Sequence, residues 1–236
     1  MSELFLSVVI PCYNEEKRLG PTLDKILAYL RRQNYSWEIL VSDDGSTDPT
    51  AKLAKEKLEG LPHKILRNVY NEGKGQAVKR GMLAARAPFV LFTDADLSTP
   101  IEEVEKLLCK LQDGFDVAIG SRGLDASQVE VPQNILRQSM GKIFNRIARW
   151  ASFKEIHDSQ CGFKCFHRDA AEKLFSAQKL KGFSFDAEIM YLAQKRGMKV
   201  AEVPVIWRNS PSSRVHILKD TFVMFVDIFR IRWIHR

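Results

Sequence analysis

Apolar residues fall along this chain in short runs separated by stretches of helical period. The runs are Phe5 to Pro11, Trp37 to Ser42, His63 to Arg67, Phe89 to Phe92 and Asp116 to Gly120. Apolar runs of this length, bounded by turn residues, predict strands buried on both faces of a parallel sheet. Between them the spacing predicts helices. Gly20-Pro21 opens one through Arg32, with Leu23, Ile26, Leu27 and Leu30 on one face. Asp48 caps a second at Pro49, running to about Glu59. The turn Asn71-Glu72-Gly73-Lys74-Gly75 leads into a third ending about Ala87, and Pro100 to Leu111 forms a fourth. This order predicts an α/β fold: a mostly parallel central sheet flanked by helices, with ligands outside the carboxyl ends of its strands.

The second half is less regular. Residues 124–131 read as a polar loop, and Pro132 to Ser152 as a helix carrying Lys142, Arg146 and Arg149 in a narrow arc. Residues 153–160 read as loop, and Cys161 to Arg168 as a short strand pair. Asp169 caps a helix to Ala177, and Phe185 to Arg196 is another, with Gly197 as its C′ residue. Val200 to Trp207 returns to strand, where Pro204 marks an edge or a bulge. His216 to Ile234 closes the chain as a helix. Lys219, Asp220, Asp227 and Arg230 share one arc of it, and Phe222, Phe225, Val226, Ile228, Phe229 and Ile231 cover most of the rest. Such a helix suits a membrane interface or a partner, and equally suits packing on the chain's own core.

With 236 residues, 45% of them hydrophobic, the chain can bury a full core as one large domain with an appendage. The net charge of +7 points to an anionic partner: a phosphate-bearing substrate, an anionic lipid surface or nucleic acid. No nucleic-acid-binding motif is present, which argues against the last. The four cysteines are too few and too scattered for a disulfide framework. His157, Cys161, Cys165 and His167 lack any C-x-x-C pair, which argues against zinc. Leu4 to Ile10 reads as a first strand rather than a signal peptide, and no stretch has the length of an uninterrupted transmembrane helix.

Chemistry gathers at the predicted strand ends. Asp94 and Asp96 close the central run, separated by Ala95. Two carboxylates placed there are costly without a cation, and a hard divalent ion such as Mg²⁺ or Mn²⁺, itself holding a diphosphate, would supply it. Tyr13 offers a face for stacking a base, and Glu15 can accept hydrogen bonds from ribose or base. Asp43 can accept from a base imide, and Lys74, between two glycines, can reach a diphosphate. The G-x-x-x-x-G-K-[ST] spacing of a P-loop is absent.

Val-Val-Ile-Pro-Cys-Tyr-Asn-Glu-Glu (8–16), Val-Ser-Asp-Asp-Gly-Ser-Thr-Asp (41–48), Asn-Glu-Gly-Lys-Gly (71–75) and Thr-Asp-Ala-Asp (93–96) together resemble glycosyltransferase family 2, with its GT-A fold. Gly120-Ser121-Arg122, Asp158 to Lys164 and Phe185 to Glu188 resemble the branch that glycosylates polyprenyl phosphates, and Asp-Ser-Gln-Cys-Gly-Phe-Lys looks closer to its dolichyl-phosphate β-glucosyltransferases than to its mannose synthases. The resemblance implies that Pro11, Tyr13, Glu15 and Asp43 hold the nucleoside. It implies that Asp94, Ala95 and Asp96 hold metal and diphosphate, while Arg122, Arg208 and Arg214 contact phosphates. Two positions depart from the branch: Arg214 stands where mannose synthases have lysine, and Gly141 where a serine can lie near the acceptor phosphate.

A phosphate acceptor is already anionic and needs cations rather than a base. Asp96, Arg122, Arg137 and Asp158 are the catalytic candidates, with Arg208 and Arg214 as further cations. The expected reaction is inverting transfer of a hexose, glucose from UDP-glucose, to a dolichyl or undecaprenyl phosphate. The alternatives are a GDP-mannose donor, a sugar-hydroxyl acceptor with Asp158 or Asp186 as base, and a non-catalytic nucleotide-sugar-binding subunit. Residues 1–122 would form the nucleotide-sugar half and 123–210 the acceptor half of the catalytic domain, with 211–236 as a membrane-proximal helix. The expected location is the cytoplasmic side of a membrane, bound peripherally.

Overall fold

The computed structural model describes residues 3–131, 156–208 and 217–236. The helix expected over 132–152, with Arg137, Gly141, Lys142, Arg146 and Arg149, lies outside those residues, as does Arg214. The first half alternates strand and helix: β1 (Leu4–Cys12), α1 (Glu16–Leu30), β2 (Ser36–Asp43), α2 (Thr50–Leu58), β3 (His63–Arg67), α3 (Lys74–Ala84) and β4 (Phe89–Thr93). A 3₁₀ turn (Ile101–Glu103), α4 (Val104–Gln112) and β5 (Val117–Ser121) follow. Then come β6 (Gln128–Val131), β7 (Phe163–His167), α5 (Arg168–Ala177), α6 (Phe185–Lys195), β8 (Val200–Pro204), β9 (Ile206–Arg208) and α7 (Ile217–Ile234).

Seven strands form one sheet in the order β3-β2-β1-β4-β7-β5-β8. All its ladders are parallel except the two made by β7, which runs antiparallel between β4 and β5. Side chains alternate across the sheet and divide the core in two. Leu6, Val8 and Ile10 pack under α1, α2 and α4, while Val9, Val90, Phe92 and Phe166 pack under α3, α5 and α6. Pro11 lies past the last β1–β4 pair, Val9↔Phe92, so this interior strand loses no bond to β4 at the proline.

Several boundaries differ from the sequence reading, each for a local reason. Helix α1 begins at Glu16, not at Gly20, because the Glu15 carbonyl accepts from the Arg18 and Leu19 N–H groups at 2.9 and 2.8 Å. Pro21 then falls in the second turn, on the exposed side, where a lost helical bond is tolerated. The loop expected over 124–131 ends in β6, which pairs in parallel with β9 as a separate two-stranded sheet. Cys161 to Arg168 is not a strand pair but the single inserted strand β7. Val200 to Trp207 divides at Val205, so β8 closes the large sheet as an edge and β9 leaves it for β6. Asp169 lies inside the first turn of α5 and makes no side-chain cap.

Helix α7 packs one apolar edge on the chain's own core and leaves another exposed. Ile228 and Ile231 are fully buried against the α6 side of the core. Asp227, one of the residues sharing the polar arc, is buried and accepts from Ser184 Oγ at 2.6 Å. Val223, Phe225, Val226, Phe229 and Trp233 form the exposed face, Trp233 at 68%. Among the described residues no helix is long and apolar enough to cross a membrane.

Candidate functional site

The carboxyl ends of β1, β2 and β4 deliver the candidate residues to one edge of the sheet. Pro11 lies one residue before the end of β1, whose last pair is Cys12 with Asp43, and Tyr13 and Glu15 follow the strand. Asn14, between them, has φ +51°, an unusual value outside glycine that turns the chain toward α1. The Asn14 Oδ1 accepts from the Thr47 and Asp48 N–H groups at 2.7 and 3.3 Å, and the Asn14 N–H donates to Ser46 Oγ at 2.8 Å. The Glu15 N–H donates to Thr50 Oγ1 at 2.7 Å. These bonds stitch the loop after β1 to the loop after β2 and so fix the nucleoside candidates relative to one another. Glu15 itself is clamped by Arg18, whose Nε and Nη2 donate to its two oxygens at 2.6 and 2.5 Å.

Asp43 is completely buried at the end of β2. Its Oδ1 accepts from the Ser46 N–H at 3.0 Å and from the Ser46 hydroxyl. Its Oδ2 lies 3.2 Å from Arg67 Nε, an ion-pair distance without hydrogen-bond alignment, and has no hydrogen-bond partner. A buried carboxylate oxygen left in that state suits a donor N–H supplied by a ligand. Asp44 ties down the next loop, accepting from Asn68 Nδ2 and from the Glu72 and Gly73 N–H groups at 2.8, 3.1 and 2.7 Å.

The glycines around Lys74 serve close packing. A Cβ on Gly73 (φ +110°) would come within 2.5 Å of the Lys181 carbonyl oxygen, and one on Gly75 within 2.8 Å of the Gly182 oxygen. Lys74 therefore starts α3 wedged against residues 180–185 and reaches across to β4. Its Nζ lies 2.7 Å from Asp94 Oδ1. Burial works against its charge, but Asp94, Asp186 and Asp96 outweigh burial and raise its pKa.

Asp94 and Asp96 follow β4. The Asp94 N–H donates to the Gly162 carbonyl at 3.1 Å, and a Cβ on Gly162 would fall 2.0 Å from Asp94 Oδ2. That notch is what lets the Asp94 carboxylate lie where it does. Ala95 is fixed through its carbonyl, which accepts from Thr22 Oγ1 at 2.8 Å. Leu97 has φ +48°, a strained value that bends the chain sharply after Asp96. Asp96 Oδ1 accepts from the Ser98 N–H at 3.1 Å, and its Oδ2 lies 4.0 Å from Arg18 Nη1. Two carboxylates already facing cations, one in a glycine notch, are a donor set that fits a hard divalent ion. Among the described residues no group of three or more His, Cys, Asp and Glu gathers to hold a metal, so the rest of a coordination shell would come from diphosphate and water.

The acceptor-side candidates are bound to one another. Arg122 forks onto Asp158, Nε to Oδ2 at 2.6 Å and Nη2 to Oδ1 at 2.8 Å, and its N–H donates to Oδ2 at 3.0 Å. Its guanidinium also lies 5.4 Å from the Trp207 ring centroid. Burial would raise the Asp158 pKa, but Arg122 outweighs it and holds the carboxyl below its usual range. Glu202 of β8 fixes this loop by accepting from the His157 and Asp158 N–H groups at 2.9 and 2.8 Å. Asp186, in the first turn of α6, is buried against Lys164 at 2.5 Å, and burial raises its pKa. Arg208 ends β9, its N–H donating to the Ser98 carbonyl at 2.8 Å, which ties that strand to the loop carrying Asp96. Sequence reading did not single out Arg18 or Glu202. Arg18 carries a signal, three residues after Glu15 at a helix start, whereas Glu202 becomes visible only once β8 is placed beside β5.

An α/β sheet with acidic loops gathered at its carboxyl edge is the architecture of nucleotide-sugar transferases, and residues 7–175 match Glycosyl transferase family 2. The chain belongs to that family. It is 35% identical over 246 residues to a dolichyl-phosphate β-glucosyltransferase of Dictyostelium discoideum, covering 99% of this chain and 75% of that one. The corresponding protein of Saccharomyces cerevisiae is 34% identical, with 98% and 75% covered, and that of Homo sapiens 34%, with 96% and 74% covered. The fold is similar to that of glucosyl-3-phosphoglycerate synthase from Mycobacterium tuberculosis bound to UDP, with a TM-score of 0.71 at 19% identity over 96% of this chain and 80% of that one.

Proposed function

We propose that the chain transfers glucose from UDP-glucose to the phosphate of a polyprenyl phosphate, inverting the anomeric carbon. The observation that carries this reading is the state of the two carboxylates that a hydroxyl acceptor would need as base. Asp158 gives both oxygens to Arg122, and Asp186 is buried against Lys164. A phosphate acceptor needs neither, because its oxygen is already anionic. That oxygen attacks the anomeric carbon in line as the bond to the donor diphosphate breaks and UDP leaves.

Pro11, Tyr13, Glu15 and Asp43 hold the nucleoside in this reading, and Lys74, Ala95 and Asp96 face the diphosphate. Asp94 and Asp96 would hold the divalent ion, which offsets charge on the departing diphosphate when bound. Arg122 is the cation that brings the acceptor phosphate to the donor, and Asp158 orients it; Arg208, with Arg137 and Arg214, adds positive charge. Similarity to dolichyl-phosphate β-glucosyltransferases along nearly the whole chain supports both the donor and the lipid acceptor. GDP-mannose is the competing donor.

The catalytic part comprises residues 1–210, and 211–236 the membrane-proximal helix. The apolar face of Val223, Phe225, Val226, Phe229 and Trp233 rests on the membrane holding the acceptor, with the enzyme peripheral on the cytoplasmic side. That membrane is the plasma membrane of a prokaryote or the endoplasmic reticulum of a eukaryote. The test offers labelled UDP-glucose with a short polyprenyl phosphate or the corresponding polyprenol. Label on the phosphate alone is expected, and label on the alcohol would overturn the reading.

A further inference from the structure

We propose that Lys74 is an internal counter-ion that occupies the ligand-facing oxygen of Asp94 until a donor diphosphate draws it away. Metal and donor then load together rather than metal first. The inference rests on the reading of Asp94 and Asp96 as metal ligands. Asp94 Oδ2 is set in the notch of Gly162, where a Cβ would come within 2.0 Å, so Oδ1 is the oxygen a metal would meet. Lys74 Nζ already holds that oxygen at 2.7 Å. A dication arriving alone must displace that ammonium from the oxygen it holds.

The displaced ammonium has a poor alternative within the protein. Asp186, the next acid that acts on it, is paired with Lys164, which is itself buried. Both lysines stand over the Phe92 ring, its centroid 5.7 Å from Lys74 Nζ and 5.4 Å from Lys164 Nζ. A diphosphate supplies the missing anion: it takes Lys74 off Asp94 and frees Oδ1 in the same event. Asp96 is restrained less, because Arg18 stands 4.0 Å away and gives its short contacts to Glu15. Coupling of this kind is reciprocal, so bound metal must also tighten the diphosphate.

The test is Mn²⁺ titration of the purified chain, with free Mn²⁺ read by electron paramagnetic resonance, without nucleotide and with saturating UDP. Wild type, Lys74→Met, Lys74→Arg and Asp94→Asn are compared after circular dichroism shows each folded. Lys74→Met is expected to bind Mn²⁺ alone about tenfold more tightly than wild type. Lys74→Arg should stay close to wild type, and Asp94→Asn should weaken binding in both states. If Lys74→Met binds Mn²⁺ alone no better than wild type while UDP-dependent binding through Asp94 persists, the counter-ion role is overturned and the metal site stands. Binding indifferent to Asp94→Asn in both states overturns the metal site and this inference with it.

Discussion

Arg122 and Asp158 share three hydrogen bonds, two through the guanidinium fork and one from the Arg122 backbone N–H. One carboxylate thus fixes both the side chain and the main chain of the residue that follows β5. Because the fork needs a planar, two-toothed donor, Arg122→Lys is not a conservative change. We expect it to fold, yet to lose transfer by about 10²-fold, a loss of the size seen when one positioned donor is removed. Steady-state kinetics check this; wild-type turnover in the lysine variant would count against Arg122.

The same pair sets an acid limit on stability. Asp158 has a folded pKa below its unfolded value, so its stabilisation is present above the unfolded pKa and fades as pH falls through the folded one. Asp158→Asn should therefore cost about 3 kcal/mol near neutral pH, and the gap to wild type should close below about pH 4. Urea denaturation across pH reads this directly.

Glu38 provides a control of the same sign far from the site. It is buried in β2 and accepts from Ser7 Oγ, from the Arg86 N–H and from the Arg86 guanidinium, which together lower its pKa against the effect of burial. Glu38→Gln should lower stability near neutral pH while leaving the kinetic constants of the folded enzyme unchanged. A changed KM for UDP-glucose would show that the two ends of the sheet are coupled.

Gly162→Ala places a methyl group on Asp94. The carboxylate or the backbone at residue 162 must move, because the added Cβ would fall 2.0 Å from Asp94 Oδ2. We expect transfer to fall at least about tenfold and the requirement for metal to rise, with a stability loss of about 1 kcal/mol. Activity measured against Mn²⁺ concentration distinguishes this from a folding defect.

The proposed membrane contact and the fold draw on different faces of helix α7. Phe229→Glu and Trp233→Glu should reduce binding to anionic vesicles and spare transfer to a short acceptor in detergent. Ile231→Glu should instead destabilise the fold, because that side chain is fully buried. Co-sedimentation and thermal denaturation read the two effects.

The periodic first half was legible because each strand there carries apolar residues between turn signals and each helix has a turn signal beside it. His63–Arg67 was placed to the residue. The inserted strand β7 was harder to read, since a lysine, Lys164, lies within it and hides a strand buried on both faces. Lys164 becomes intelligible only beside Asp186, which is distant in sequence and brought near by α6. The β6–β9 pair was invisible for a similar reason: strands that short announce themselves only through a partner. In α7 the burial of Asp227 was not legible because its partner, Ser184, lies at the start of another helix. Asp43, Lys74, Asp94 and Asp96 could be named because each ends or begins a periodic element, whereas Glu202 lies inside a strand and acts through backbone N–H groups.

The most direct measurement is transfer of labelled sugar from UDP-glucose and from GDP-mannose to a short polyprenyl phosphate, with Mg²⁺ or Mn²⁺ and with EDTA, for wild type and Asp96→Ala. The account predicts metal-dependent label in the lipid phase from UDP-glucose, abolished by EDTA and by Asp96→Ala although that variant folds. Lipid label that persists in Asp96→Ala, or no lipid label from UDP-glucose under any condition, would contradict it.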